Sequence, residues 1–206
     1  MNTCVITGAA SGIGAGLARH AASLGMKLVL ADWNEGALNR LAQDLPTEVL
    51  AVPTDVRDEA AVESLARAAF ERFGQVDLVF NNAGVLSSGL TWEIDAATWQ
   101  RSLAVNIGGV VNVIRAFVPR LVAADRPARI VNTSSLGGFL TSPFMAPYSA
   151  TKFAIVAITE ALAAELAATG SKVQVSLLAP GPVKSAIMDE PAPAQTAGFM
   201  AMLRPP

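Results

Sequence analysis

A chain of 206 residues that is 52% hydrophobic and only 16% charged has the size and composition of one domain with a sizeable core. This excludes an intrinsically disordered chain, which cannot bury enough apolar surface to offset its conformational entropy. The formal net charge of −2, with one cysteine and one histidine, argues against nucleic-acid binding through a basic surface. It also excludes an intramolecular disulfide framework and a multi-histidine metal site, so no metal is expected.

The opening MNTCVITG has no basic segment followed by an apolar run, and no uncharged apolar stretch reaches the ~18–20 residues of a membrane span. A soluble cytoplasmic protein without membrane or nucleic-acid partners is expected. In chain order, Thr3–Thr7 reads as a buried strand and Ile13–Leu24 as a helix. Strand Lys27–Asp32, helix Glu35–Asp44, strand Glu48–Thr54, helix Glu59–Phe73 and strand Val76–Phe80 follow. A long helix, Ala96–Ala124, is expected to break near Gly108–Gly109 and Pro119. Strand Arg129–Thr133, helix Tyr148–Ala168 and strand Val173–Leu178 complete the alternation. The strands are short, apolar and mostly non-alternating, as when helices cover both sheet faces. Six such β units imply one α/β domain, a doubly wound parallel sheet in the Rossmann-type order 3-2-1-4-5-6. The last stretch holds six of the 12 prolines, so residues 180–206 are expected to be loop-like, covering substrate.

Where the first strand turns into the first helix stands Thr7-Gly8-Ala9-Ala10-Ser11-Gly12-Ile13-Gly14. Glycines there allow a tight turn and close approach to a pyrophosphate, while the helix N-terminus supplies unpaired N–H donors. The spacing is G-x-x-x-G-x-G, and no Lys-Ser/Thr pair follows, so a P-loop is excluded. Asp32 ends the second strand 18 residues after Gly14, where an acid can bind a ribose 2′-OH and repel a 2′-phosphate. Neither Ser11 nor Trp33 offers a compensating cation, which favours NAD over NADP. Trp33 is placed either against adenine or in plain surface packing.

These residues carry a resemblance. With Asp55-Val56, Asn81-Asn82-Ala83-Gly84, Asn106, Ser135, Tyr148-Ser149-Ala150-Thr151-Lys152 and Pro180-Gly181-Pro182-Val183 in order, the chain resembles the short-chain dehydrogenases/reductases over nearly its whole length. The resemblance implies that Ser135, Tyr148, Lys152 and Asn106 are catalytic, with Asn106 holding a water in a proton relay to the lysine. It implies cofactor contacts from Gly8, Ser11, Gly12, Ile13, Gly14, Asp32 and Trp33, and from Asp55 and Val56 at adenine. Asn82, Ala83 and Gly84 would run beside the adenosine ribose and pyrophosphate. Tyr148, Lys152 (at the nicotinamide ribose), Pro180, Gly181 and Val183 complete the set.

The chemistry can also be argued from the side chains. Tyr148 and Lys152 lie four apart, on one helix face. A phenol with pKa near 10 is a poor base at neutral pH. A nearby ammonium and an oxidised nicotinamide would favour phenolate, and reaching about 7 needs roughly 4 kcal/mol of differential stabilisation. Tyr148 would then exchange a proton with an alcohol or ketone oxygen held by Ser135, while a hydride moves to or from the nicotinamide. A second reading is a catalytically idle NAD-binding regulator or dimerisation protein on the same scaffold. A third, a sugar-nucleotide epimerase or dehydratase, would normally show a different glycine spacing.

Helices Val105–Val118 and Phe153–Leu166 are apolar nearly all round and need covering on more than one face. A homodimer or homotetramer is expected, with Ile155 or Ile158 facing the partner. Leu86, Leu136, Phe139, Phe144, Met145 and Met188 are candidates for an apolar substrate pocket. The family normally adds a helix and a seventh strand after the Pro-Gly segment, whereas this chain stops at Pro206. A truncated or incompletely represented chain is expected, with Val173–Leu178 as an uncovered edge.

Overall fold

Each central strand sends alternate side chains to opposite sheet faces, and a computed structural model, describing residues 2–183, Ile187 and residues 196–202, shows what each face meets. Strands β1 (Thr3–Thr7), β2 (Lys27–Asp32), β3 (Val49–Pro53), β4 (Leu78–Asn81), β5 (Ala128–Thr133) and β6 (Val173–Leu178) form one parallel sheet, ordered β3-β2-β1-β4-β5-β6. Val5, Val29, Val79 and Ile130 face one layer, packing with α3 (Glu59–Phe73), α5 (Gly109–Ala123) and α6 (Ala146–Ala168) through Leu65, Phe117 and Leu162. Cys4, Ile6, Leu28 and Leu30 face the other, formed by α1 (Gly12–Ser23) and α2 (Glu35–Asp44) with Ala18, Ala22, Leu38 and Leu41. The expected doubly wound sheet and its strand order are therefore present.

Local chemistry sets the element ends. Asn34 caps α2 by accepting from the Ala37 N–H at 3.0 Å, and Asp58 caps α3 by accepting from Ala60 N–H at 2.9 Å. Side-chain acceptors at these positions satisfy donors that the first turn leaves unpaired. The long apolar helix departs from expectation. It opens as α4 (Ala96–Leu103), widens into a π-helical turn at Ala104–Gly108 and resumes as α5. Pro119 is carried inside α5 without ending it. α6 begins two residues before Tyr148, with Pro147 in its first turn, where its missing N–H is harmless. Ala197–Met202 forms a short helix, α7, within the segment expected to be loop. Ser185, Met188, Pro191, Pro193, Pro205 and Pro206 lie outside the described residues.

Taken through its π turn, Ala96–Ala123 is a 28-residue helix long and apolar enough by composition to cross a membrane. Counting only uncharged runs missed it, because Arg101 and Arg115 interrupt the sequence. Val110, Val113, Ala116, Phe117 and Leu121 of this helix are buried, most of them against the sheet and α3. That is the setting of a core helix.

A buried amide chain ties this layer together. Asn81 Nδ2 donates to Val110 O at 3.0 Å and to Asn132 Oδ1 at 3.1 Å. Asn132 Nδ2 donates to Thr159 Oγ1 at 3.0 Å, and the threonine donates to Ile155 O at 2.7 Å. Strands β4 and β5 are thus bonded through side chains to α5 and α6. Ile155 itself is 1% exposed, so it belongs to the core and cannot face a partner; the exposed apolar residue on this helix is Phe153.

Candidate active site

In a parallel sheet all carboxyl ends point one way, and the loops leaving them share one crevice. The turns after β1 and β4 are stitched together there. Thr7 Oγ1 accepts from the N–H groups of Asn82 and Ala83 at 3.0 and 3.1 Å, and Asn82 Nδ2 donates to Thr7 O at 3.1 Å. Gly8 and Gly14 let the chain close this tightly. A Cβ on Gly8, whose φ is +64°, would stand 2.8 Å from Ala83 Cα; one on Gly14 would stand 2.0 Å from Gly8 O. Ser11 precedes α1 without capping it through its side chain, leaving first-turn N–H donors open at the helix's positive end. Gly12, with φ +51°, and Ile13 begin that helix.

At the end of β2, Asp32 is 8% exposed and held by two backbone donors, Ala10 N–H at 3.0 Å and Asn34 N–H at 2.9 Å. Each oxygen keeps acceptor capacity. Trp33 beside it is 80% exposed. The Asp55 carboxylate is forked by Arg57, whose Nε lies 3.0 and 2.9 Å from its two oxygens, and this bonding holds its pKa below the usual carboxylate value. A ligand reaching Asp55 must share it with that guanidinium. Val56 is buried against the helix start at Gly109.

Ser135, Tyr148 and Lys152 come together around the loop after β5 and the first turns of α6. Ser135 Oγ and the Tyr148 ring both border Gly137, where a Cβ would stand 3.6 Å from the hydroxyl and 3.4 Å from Tyr148 Cε1, and Ser135 Oγ accepts from Gly137 N–H at 3.1 Å. Ser134, by contrast, is turned inward and donates to Lys152 O at 2.8 Å. Lys152 Nζ lies 5.5 Å from the Tyr148 ring centroid and donates to Thr133 O at 3.0 Å. Ser135 also reaches Pro180 O at 3.5 Å, and Leu136 N–H donates to the same carbonyl; Gly181 and Val183 follow on the exposed rim. A Cβ on Gly84 would stand 3.5 Å from Lys152 Nζ and 3.3 Å from Asn106 Oδ1, so the β4 loop borders the lysine.

Burial raises the Tyr148 pKa, opposed by the Ser135 hydrogen bond. Lys152 is itself pushed down to about 8 by burial. Its charge is therefore a standing cost to the fold. Below pH 8 both folded and unfolded chains hold the proton and the desolvation penalty is complete. Between pH 8 and the ordinary 10.5 the folded chain releases it first, so stability rises with pH. Lys152→Met should stabilise the protein at pH 7 by roughly 1–3 kcal/mol and flatten that rise. Denaturant unfolding at stepped pH checks both; an unchanged slope with a less stable variant would contradict the sign.

Asn106, in the π turn, is fully buried. Its Nδ2 donates to Val85 O and to Thr151 Oγ1, each at 3.0 Å, and its Oδ1 accepts from Val85 N–H at 2.8 Å. The amide thus pairs with a backbone as a strand would, and both its protons are used. Thr151 in turn donates to Tyr148 O at 2.7 Å, coupling the π turn to the tyrosine. Thr151 and the carbonyl of Thr133 were not singled out by sequence. Thr151 stands inside the Tyr-Lys segment, one turn after the tyrosine, and that position was its only signal. Among the described residues no cluster of three or more His, Cys, Asp or Glu could hold a metal ion.

Comparison with known proteins adds a second line of support. The family model described as short chain dehydrogenase matches residues 2–196. The chain is 41% identical over 192 residues to a 1-deoxy-11-beta-hydroxypentalenate dehydrogenase of Streptomyces arenae, covering 90% of this chain and 68% of the relative. It is 37% identical over 183 residues to a CLA biosynthesis dehydrogenase/reductase of Lactiplantibacillus plantarum, covering 87% and 64%. The chain thus spans about two thirds of the length of these curated relatives. Among solved structures, a short chain dehydrogenase/reductase from Burkholderia phymatum in complex with NAD superposes with a TM-score of 0.93 at 42% identity, over 98% of this chain and 77% of that one. A 3-ketoacyl-(acyl-carrier-protein) reductase from Brucella melitensis complexed with NADH gives 0.85 at 31%, over 100% and 91%.

Proposed function

This chain belongs to the short-chain dehydrogenase family and is an oxidoreductase of that family, and from that premise we propose that it interconverts a secondary alcohol and a ketone with NAD, using Tyr148 as general acid/base. The observation that carries this reading is the gathering of Ser135 Oγ and the Tyr148 ring around Gly137, with Lys152 Nζ 5.5 Å from the centroid of that ring, together with the turn whose Gly14 has no room for a side chain. The residues fit a dinucleotide. The turn leaves space and open N–H donors for a pyrophosphate, and the Asp32 carboxylate retains acceptors for a ribose diol. When bound, the nicotinamide supplies or receives the hydride. Ser135 orients the reacting oxygen, Tyr148 holds or takes its proton, and Lys152 supplies positive charge beside the phenol. Asn106 and Thr151 hold the tyrosine's helix against the β4 loop. An idle nucleotide-binding protein is not favoured, since Ser135 and Lys152 both border the Tyr148 ring. NADH fluorescence titration, followed by a panel of secondary alcohols monitored for NAD reduction, tests the reading; no binding of either dinucleotide would end it.

Cofactor choice belongs to the same proposal. An ionised Asp32 bonded by two N–H groups repels a 2′-phosphate, so NAD(H) should bind at least about tenfold, or 1.4 kcal/mol, more tightly than NADP(H). Asp32→Ala should narrow that gap. Equal affinities in the unaltered protein would refute the assignment.

We further propose that two copies assemble through the apolar helices Val105–Val118 and Phe153–Leu166, with Leu103 and Phe153, 43% and 42% exposed, at their edge, and that the protein works in the cytoplasm. Phe153→Glu should shift the chain from dimer to monomer in light scattering without loss of helical signal. A monomeric unaltered protein at micromolar concentration would contradict the assembly.

A further inference from the structure

Three segments distant in sequence meet beside the Tyr148 phenol. Leu86 follows β4, Phe144 and Met145 precede α6, and Ile187 and Phe199 come from the end of the chain. Leu86 and Met145 are 4% and 9% exposed, and Tyr148, Ile187 and Phe199 pack on them. Phe144 and Phe199 meet edge-to-face with ring centroids 5.6 Å apart. Phe144 is also one of two non-glycine residues with positive φ among those described, at +63°. A bulky side chain is disfavoured there, and such strain persists only where the surroundings hold it. Its carbonyl accepts from Gly89 N–H at 2.8 Å, which fixes the backbone and aims the ring at α7. The nearby hydroxyls of Ser87 and Ser102 are 2.6 Å apart, and Ser102 donates to Thr98 O. Ser102's only proton is therefore spent, and the Ser87 proton must go to Ser102 rather than to a ligand.

We infer that Phe144, through its edge-to-face contact with Phe199, fixes an apolar wall over Tyr148 that selects ketones and secondary alcohols with an extended hydrocarbon skeleton. This rests on the proposed oxidoreductase function and specifies its substrate class. The reacting oxygen meets Ser135 and Tyr148; the carbon skeleton lies on Leu86, Met145, Ile187 and Phe199. Phe144 is a specificity residue that acts through Phe199.

The test does not need turnover. Dissociation constants of acetone, 2-octanone and the polar 1-hydroxyacetone are measured for the NADH complex of the Tyr148→Phe protein, in which turnover is suppressed, by the change in NADH fluorescence. Each buried methylene should contribute roughly a fourfold factor, so 2-octanone should bind at least about thirtyfold more tightly than acetone, and hydroxyacetone no better than acetone. Phe199→Ala and Phe144→Gly should each reduce the octanone-to-acetone ratio about tenfold, and together by little more than either alone, because both changes remove the same contact. Glycine suits the backbone at position 144, so that variant removes the ring without adding strain. Unchanged NADH affinity reports that each variant is folded. NADH binding without preference for octanone, or an unchanged ratio in both variants, would overturn the inference and leave the function standing. Failure of the unaltered protein to bind NADH would overturn the function itself, and the inference with it.

Discussion

Tyr148→Phe should lower kcat by about 10²–10⁴-fold, the usual range for removing a general acid/base, while NADH affinity changes little. The substitution deletes one hydroxyl from a ring that stays packed on Leu86 and Met145, so the surrounding packing is kept. What disappears is the proton carrier and the partner of Ser135. Ser135→Ala should be milder in kcat and should move the alkaline side of the kcat/KM profile upward. The serine's hydrogen bond is what opposes the burial that raises the phenol's pKa, and without it more base is needed to form phenolate. A Tyr148→Phe enzyme that keeps more than half its activity on a verified substrate would refute the assignment, whatever the family resemblance.

Gly14→Ala should be the most damaging single-methyl change in the chain. The new Cβ would stand 2.0 Å from Gly8 O and 2.8 Å from Gly8 C. Both are backbone atoms in a turn already bonded to Asn82, so the strain cannot be relieved by rotating a side chain. A loss of about 3 kcal/mol or more is expected, a large share of the ~5–15 kcal/mol that holds an ordinary domain together. Dinucleotide binding should fail with it. Gly16, one half-turn further along α1, is the internal control. A Cβ there meets nothing within 4 Å, and alanine in a helix interior should stabilise by roughly 0.5–1 kcal/mol. Denaturant midpoints of the two variants should therefore move in opposite directions. If Gly14→Ala unfolds at the midpoint of the unaltered chain, the closed turn described here is wrong.

Most of the sheet was legible because its signal is local. β1, β2 and β6 have the boundaries read from runs of apolar and β-branched residues, and α2 and α3 also have the boundaries expected of them. β4 was displaced by two residues at its start, since Val76 is buried and apolar like a strand residue but lies before the ladder with β5. The π turn was not legible. It depends on Asn106 finding the backbone of Val85, 21 positions earlier, a tertiary contact with no periodic trace. Gly108–Gly109 hinted at a weak point, and Pro119 hinted at one that does not exist. The inward bond of Ser134 to Lys152 O left no trace in the sequence either. The burial that raises the Tyr148 pKa was not legible for a related reason: charges can be counted in a sequence, but burial cannot.

The buried amide pair between β4 and β5 has a consequence for how the sheet finds its alignment. Asn81 stands opposite Asn132 in the parallel ladder, among neighbours that are otherwise apolar. Sliding one strand by a residue would keep most backbone bonds and still bury hydrocarbon, so apolar packing alone discriminates weakly between the two arrangements. It would also break the Asn81–Asn132 pair, setting Asn132 opposite Phe80 or Asn81 opposite Val131 according to the direction of the slide, at about 1–3 kcal/mol for each buried group left unsatisfied. The pair therefore favours the observed alignment over its neighbours, and because Thr159 closes the same chain, the helix bearing Tyr148 and Lys152 is tied to that alignment.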